Sequence, residues 1–134
     1  MKMQETQDVV NMYMQALSER NLEKIMPLFA DDIDWYIPGN ETLAPWLGKR
    51  SNKQEVKEFF TLLWSNTKPL SASVTDFLFD NNTAVITGNF STEMQKTGRI
   101  VNSLFFIQMT VENSRITKYR LLEDTYAVFT ALTE

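Results

Sequence analysis

The sequence predicts an α+β fold in which N-terminal helices pack on the concave face of a curved, mainly antiparallel sheet. Three observations predict it. The first third carries apolar residues at helical spacing. From about residue 73 onward the pattern changes to strict alternation. Turn residues punctuate that alternation in the manner of successive hairpins, and helices followed by hairpins read as one layer of helices on one sheet. At 134 residues the chain forms a single domain with a substantial core.

Val9, Val10, Tyr13, Met14 and Leu17 lie on one face of a helix over residues 5–20. Arg20-Asn21 ends it, and Asn21 is placed to cap the next helix. Leu22, Ile25, Met26, Leu28 and Phe29 make a second, short helix, which Pro27 kinks or shortens because it lacks a backbone donor. Met12, Met14 and Met26 read as core filler. Asp31-Asp32 reads as a solvated turn. Ile33, Trp35 and Ile37 then alternate with Asp34 and Tyr36 as a strand that Pro38-Gly39 stops.

Residues 39–50 read as a loop. Ser51 with Gln54 suggests a capping box opening a helix over 51–67, whose apolar edge is Val56, Phe59, Phe60, Leu63 and Trp64; Pro69 closes that segment. Strands follow over 73–80, 83–94, 99–111 and 115–123, with turns at Asp80-Asn81-Asn82 and Glu112-Asn113-Ser114. Residues 124–132 form a terminal helix. On the last strands, an inward Ile107 and Tyr119 leave Ile86, Phe90, Leu104, Phe106 and Leu122 outward. Such an apolar stripe predicts a homodimer through the outer sheet face.

Composition excludes several functions. The net charge is −4 and no basic run exceeds Lys49-Arg50, so nucleic acid is not an expected partner. No apolar run approaches the length of a membrane span and no leader pattern is seen, so neither membrane nor secretion is expected. The chain has no Cys, which fits the cytoplasm and removes thiol chemistry. It also has no His, so acid–base chemistry falls to Asp, Glu, Tyr or Lys. No metal site and no cofactor are expected.

Read in order, VVNMYMQAL (9–17), LFADDIDW (28–35), PG (38–39), PWLGK (45–49), EVKEFF (55–60) and SRITKYRLLEDTYAV (114–128) resemble the nuclear transport factor 2-like superfamily. Within it the chain is most similar to SnoaL-like and ketosteroid-isomerase-related proteins. The resemblance implies a cone-shaped fold around an apolar pocket, often dimeric through the outer sheet. The superfamily includes isomerases, cyclases, hydrolases, dehydratases and non-catalytic binders, so fold alone does not give the activity.

Laid on the ketosteroid isomerase pattern, the oxyanion-binding tyrosine is Tyr13. The base falls at Ile37 and the oxyanion-hole acid near Ile107, neither of which can exchange a proton. Steroid isomerase activity is therefore not expected. For the epoxide-hydrolase pattern, Arg99, Arg120 and Asp124 offer the residue types, but alternation turns Arg120 away from Tyr119. The polyketide-cyclase pattern places an acid near the end of the sheet, where Glu123 and Asp124 stand. The period of two turns Glu123 inward with Tyr119 and Leu121, whereas Asp124 suits a helix cap.

The candidate catalytic residues are thus Glu123, Asp124 and Tyr13. The candidate ligand-binding residues are Trp35, Ile37, Trp46, Trp64, Ile107 and Tyr119, with Phe60 in the core. Glu93 and Asn102 read as strand positions that either face the pocket or form cross-strand pairs. The function expected is binding of a small apolar or aromatic molecule and its transformation by acid–base chemistry of isomerase, cyclase or lyase type. A non-catalytic ligand-binding or dimerisation module fits the same residues.

Overall fold

A computed structural model describes residues 2–133. Helix α1 (Lys2–Ser18) turns Val9, Val10, Tyr13 and Ala16 into the core. Met12, expected there, is half exposed, because it falls beside that stripe and not within it. The helix ends in a Schellman turn: the Asn21 N–H bonds the Ala16 carbonyl and the Arg20 N–H bonds the Leu17 carbonyl. Asn21 then caps α2 (Leu22–Ile25) by accepting from the Lys24 N–H. Pro27 stops α2 after one turn, and Met26–Leu28 continue as a 3-10 turn.

Strand β1 spans Phe29–Ile37. Asp31 and Asp32 therefore lie inside a strand rather than in a turn. Both are exposed, since the ladders on either side of β1 slip register here, and a bulge puts two successive side chains in water. Strand β2 (Gly48–Asn52) occupies the end of the expected loop and pairs with β1. Its polar residues carry no alternating apolar signal, so only the pairing defines it.

Helix α3 spans Lys53–Asn66. Its cap is Asn52, not Ser51. The Asn52 side chain accepts from the Glu55 N–H at 2.9 Å, while Glu55 Oε1 accepts from the Ser51 N–H at 2.7 Å. The capping logic holds, displaced by one residue. Strand β3 (Thr67–Asp80) follows directly, so Pro69 sits within a strand. It is tolerated because β3 is the sheet edge and an edge residue can lack a ladder donor.

Strands β4 (Thr83–Met94), β5 (Ile100–Glu112) and β6 (Arg115–Glu123), then α4 (Thr125–Leu132), fall where alternation and turn residues place them. The β5–β6 hairpin turns through Asn113 and Ser114, both at positive φ. The strand order is β2-β1-β6-β5-β4-β3. All neighbours are antiparallel except β1 and β6, which run parallel. The sheet is curved and unclosed, with the helices on its concave side.

Strand β5 shows the two faces cleanly: Val101, Ser103, Phe105, Ile107, Met109 and Val111 are buried and their neighbours are not. Ile86 pairs with Ile107 and is fully buried, so it belongs to the inner face, not the outer. Phe90 shares that face with Ile86 and contacts the Phe105 ring. The expected outer stripe had the register of β4 shifted by one residue, which exchanges its faces. Leu104, Phe106 and Leu122 do face outward and are more than half exposed. Gly88 allows the inner face to close: a Cβ there would lie 2.1 Å from the Ser73 carbonyl oxygen and 2.8 Å from the Phe105 ring. Among the described residues no helix is long and apolar enough to cross a membrane.

Candidate functional site

A cavity of about 600 Å³ lies between α1, α3 and the concave face of the sheet, with β3 and α4 at its margins. That volume suits a small organic molecule. Tyr13, Ile37, Trp46, Trp64, Ile107, Tyr119 and Glu123 all line it. Helix spacing brings Tyr13 inward from α1 and Phe59 and Leu63 inward from α3. The period of two on β6 brings Tyr119, Leu121 and Glu123 to the same wall.

Trp35 does not reach the cavity. It is buried one layer behind, stacked on Tyr119 with ring centroids 4.1 Å apart and planes 12° apart, and in edge contact with Phe29, Phe59 and Phe60. An indole on the inward side of β1 can pack laterally against its neighbours instead of standing clear, and sequence spacing does not distinguish the two. Phe60 is wholly buried in that cluster.

At the back of the cavity the Tyr13 hydroxyl donates to the Tyr119 hydroxyl at 2.6 Å. Both rings are buried. Burial, followed by the neighbouring Tyr119, holds Tyr13 well above the usual phenol range. Burial also raises Tyr119, the bond from Tyr13 pulls it back somewhat, and the Glu123 charge raises it again. Both phenols therefore stay protonated at neutral pH. Tyr13 spends its proton on Tyr119, so the hydroxyl free to donate toward the cavity belongs to Tyr119.

Glu123 is partly buried at the end of β6. Burial, reinforced by the adjacent Asp124 charge, pushes its carboxyl up to about 7. Asp124 has another task. Its side chain accepts from the Ala127 N–H at 3.0 Å and caps α4, and its own N–H bonds the Ser103 hydroxyl at 2.8 Å. It is not part of the cavity wall.

Other candidates scatter. Arg120 pairs with Asp34 at 2.8 Å on the outer side of the sheet, and Arg99 reaches the Thr130 carbonyl at 3.5 Å. With Asp124 at the helix cap, the three groups do not converge on a water site. Asn102 bonds Ser91 across the strands, on the wet face. Among the described residues no three acidic groups stand close enough to hold a metal ion.

Among the cavity-wall residues that sequence reasoning missed are Phe105, Val128 and Arg20. Phe59, Leu63 and Leu121 share faces with residues already singled out, so periodicity contained them. Arg20 was marked only as a helix end.

The sequence matches the SnoaL-like domain over residues 10–119, a span that includes Tyr13, Trp35, Ile107 and Tyr119.

The chain belongs to the SnoaL-like domain family.

No curated protein matches the sequence. Solved structures agree on the fold of this SnoaL-like protein. A nuclear transport factor 2-like protein from Burkholderia xenovorans is similar with a TM-score of 0.88 at 20% identity, covering 99% of both chains. TerC, crystallised with polyporic acid, gives 0.82 at 16% identity, covering 96% of this chain and 98% of its own. An LEH-like epoxide hydrolase from M. tuberculosis gives 0.76 at 14% identity, covering 98% and 92%. At these identities the likeness is one of fold.

Proposed function

We propose that this SnoaL-like protein binds a small, largely apolar molecule bearing a carbonyl or enol oxygen and moves a proton on it, as an isomerase, cyclase or lyase without a cofactor would. The observation that carries this reading is Glu123. Among the described residues it is the single carboxylate on the wall of an otherwise mostly apolar cavity, with its carboxyl near 7, where it exchanges protons readily at neutral pH. That a fold relative, TerC, was crystallised with polyporic acid is in keeping with an organic ligand in this fold.

The chemistry follows from the wall. The ligand oxygen accepts from Tyr119, whose O–H is polarised by the bond it receives from Tyr13. The Glu123 carboxylate takes a proton from a carbon beside that carbonyl, and the electron pair moves onto the oxygen as an enolate held by Tyr119. The protonated Glu123 then returns the proton to another carbon, or the enolate closes a ring onto a second carbonyl and Glu123 protonates the new alkoxide, or the enolate expels a leaving group that takes the proton from Glu123. Trp46, Trp64 and Phe59 keep water out and hold the apolar body.

The test uses 2-tetralone, an aromatic ketone with exchangeable α-protons. Its binding is followed by tryptophan fluorescence and its exchange with deuterated water by proton NMR. Exchange faster with the wild type than with Glu123→Gln, at equal probe binding, supports catalysis. Binding with equal exchange in both proteins would leave a non-catalytic binding module.

A further inference from the structure

Among the described residues Arg20 is the one cation on the cavity wall and Glu123 the one carboxylate. The guanidinium is fixed from one side. Nη1 donates to the Trp64 and Thr67 carbonyls at 3.3 and 2.9 Å, and Nη2 donates to the Thr67 hydroxyl at 2.9 Å. A guanidinium has five N–H donors, so two remain. No carboxylate among the described residues pairs with it. Burial without a countercharge lowers its pKa, although it stays fully charged.

The backbone at this residue is informative too. Arg20 sits at φ 50°, the left-handed position of the Schellman turn, where glycine is the unstrained choice. An arginine here accepts strain and in return places its side chain against the joint between α3 and β3. Three neutral oxygens hold it in place, and none of them neutralises it. The geometry is that of an oriented positive group waiting for an anion.

The register sets Arg20 and Glu123 against different rows of the sheet. Thr67, which holds the guanidinium, pairs with Met94, whereas Glu123 lies in the row of Phe105 and Gly88. Those rows are six residues apart along β4, about 20 Å of chain measured along the curved strand. A ligand anchored at Arg20 therefore extends its apolar body along the wall toward Glu123, and its negative end is kept from the acidic one.

We propose that Arg20 forms an anion subsite at one end of the cavity, and that the ligand is an elongated apolar molecule carrying a carboxylate. This deepens the function proposed above and rests on the same cavity, but not on Glu123 being catalytic.

A matched pair of probes tests it: biphenyl-4-carboxylate and biphenyl-4-methanol, titrated at pH 8 against tryptophan fluorescence, with wild type, Arg20→Lys and Arg20→Met. The wild type should bind the acid at least tenfold more tightly than the alcohol. Arg20→Met should lose that preference while binding the alcohol as the wild type does, which also reports that the cavity has survived. Arg20→Lys should keep part of the preference. Equal binding of acid and alcohol by the wild type, or an undiminished preference in Arg20→Met, would overturn the anion subsite and leave the binding cavity standing. Failure of both probes to bind the wild type would overturn the cavity reading and this inference with it.

Discussion

Tyr13 and Tyr119 share a single hydrogen bond of 2.6 Å between two buried hydroxyls. One residue comes from the first helix and the other from the last strand, 106 positions apart. The bond thus ties the helical layer to the sheet at the back of the cavity and sets which hydroxyl faces a ligand. Removing either partner leaves a buried hydroxyl unpaired, whereas removing both leaves none. Tyr13→Phe and Tyr119→Phe should each cost about 1–2 kcal/mol. The double variant should cost less than their sum by about 1 kcal/mol. Urea denaturation of the four proteins measures this cycle, and strict additivity would mean the bond is not made.

Glu123 should make stability depend on pH. Its folded pKa, near 7, is above that of an unfolded glutamate, so the folded state favours the neutral acid. The stabilisation is fully present below about pH 4, declines as pH rises, and is gone above about 7. Glutamine imitates the neutral acid at every pH. Glu123→Gln should therefore match the wild type near pH 4 and exceed it at pH 8 by on the order of 2 kcal/mol. Thermal melts at the two pH values read the difference, and a variant less stable than the wild type at pH 8 would contradict the burial argument.

How much of this was legible beforehand varies by residue. β4, β6 and α4 were readable because alternation, Asn-rich turns and an Asp cap all agreed at their boundaries. β2 was not, since Lys49 to Asn52 form a strand only by pairing with β1. The inward turn of Tyr119, Leu121 and Glu123 followed from the period of two. The position of Trp35 did not, because a large ring can lie behind the wall or on it, and only the stack on Tyr119 decides. Arg20 was the hardest, since its place in the cavity depends on the Schellman turn and on the α3–β3 joint together.

Gly88 should tolerate no side chain. A Cβ would meet the Ser73 carbonyl, a backbone atom that cannot swing aside, as well as the Phe105 ring. Gly88→Ala should cost about 3 kcal/mol, the upper part of the usual range for overpacking. A melting temperature within a degree or two of the wild type would show that β3 and β4 separate there without penalty.

The outer face should join two copies of the chain. Leu104, Phe106 and Leu122 are more than half exposed there, and they line a groove of about 610 Å³ that also touches Glu123. A second copy laid on this face would cover the groove and leave Glu123 open only to the cavity. Light scattering at micromolar concentration should give twice the chain mass, and Phe106→Glu should give the single mass. A monomeric wild type would remove the prediction.

Steroid isomerase activity should be absent. Ile37 and Ile107 line the cavity where the ketosteroid isomerase pattern places its base and its acid, neither exchanges a proton, and Glu123 stands elsewhere on the wall. Robust conversion of a 5-ene-3-ketosteroid that is lost in Tyr13→Phe would overturn this prediction and the placement of the base at Ile37.

The central claim is that one cavity carboxyl is poised for proton transfer at neutral pH. Carbon-13 NMR titration of the glutamate side-chain carboxyls, with Glu123→Gln used to assign the resonance, measures this directly. The Glu123 carboxyl should titrate near 7 and shift when an apolar ketone such as 2-tetralone fills the cavity. Titration at the ordinary glutamate value of about 4.3, unmoved by the ketone, would contradict the account.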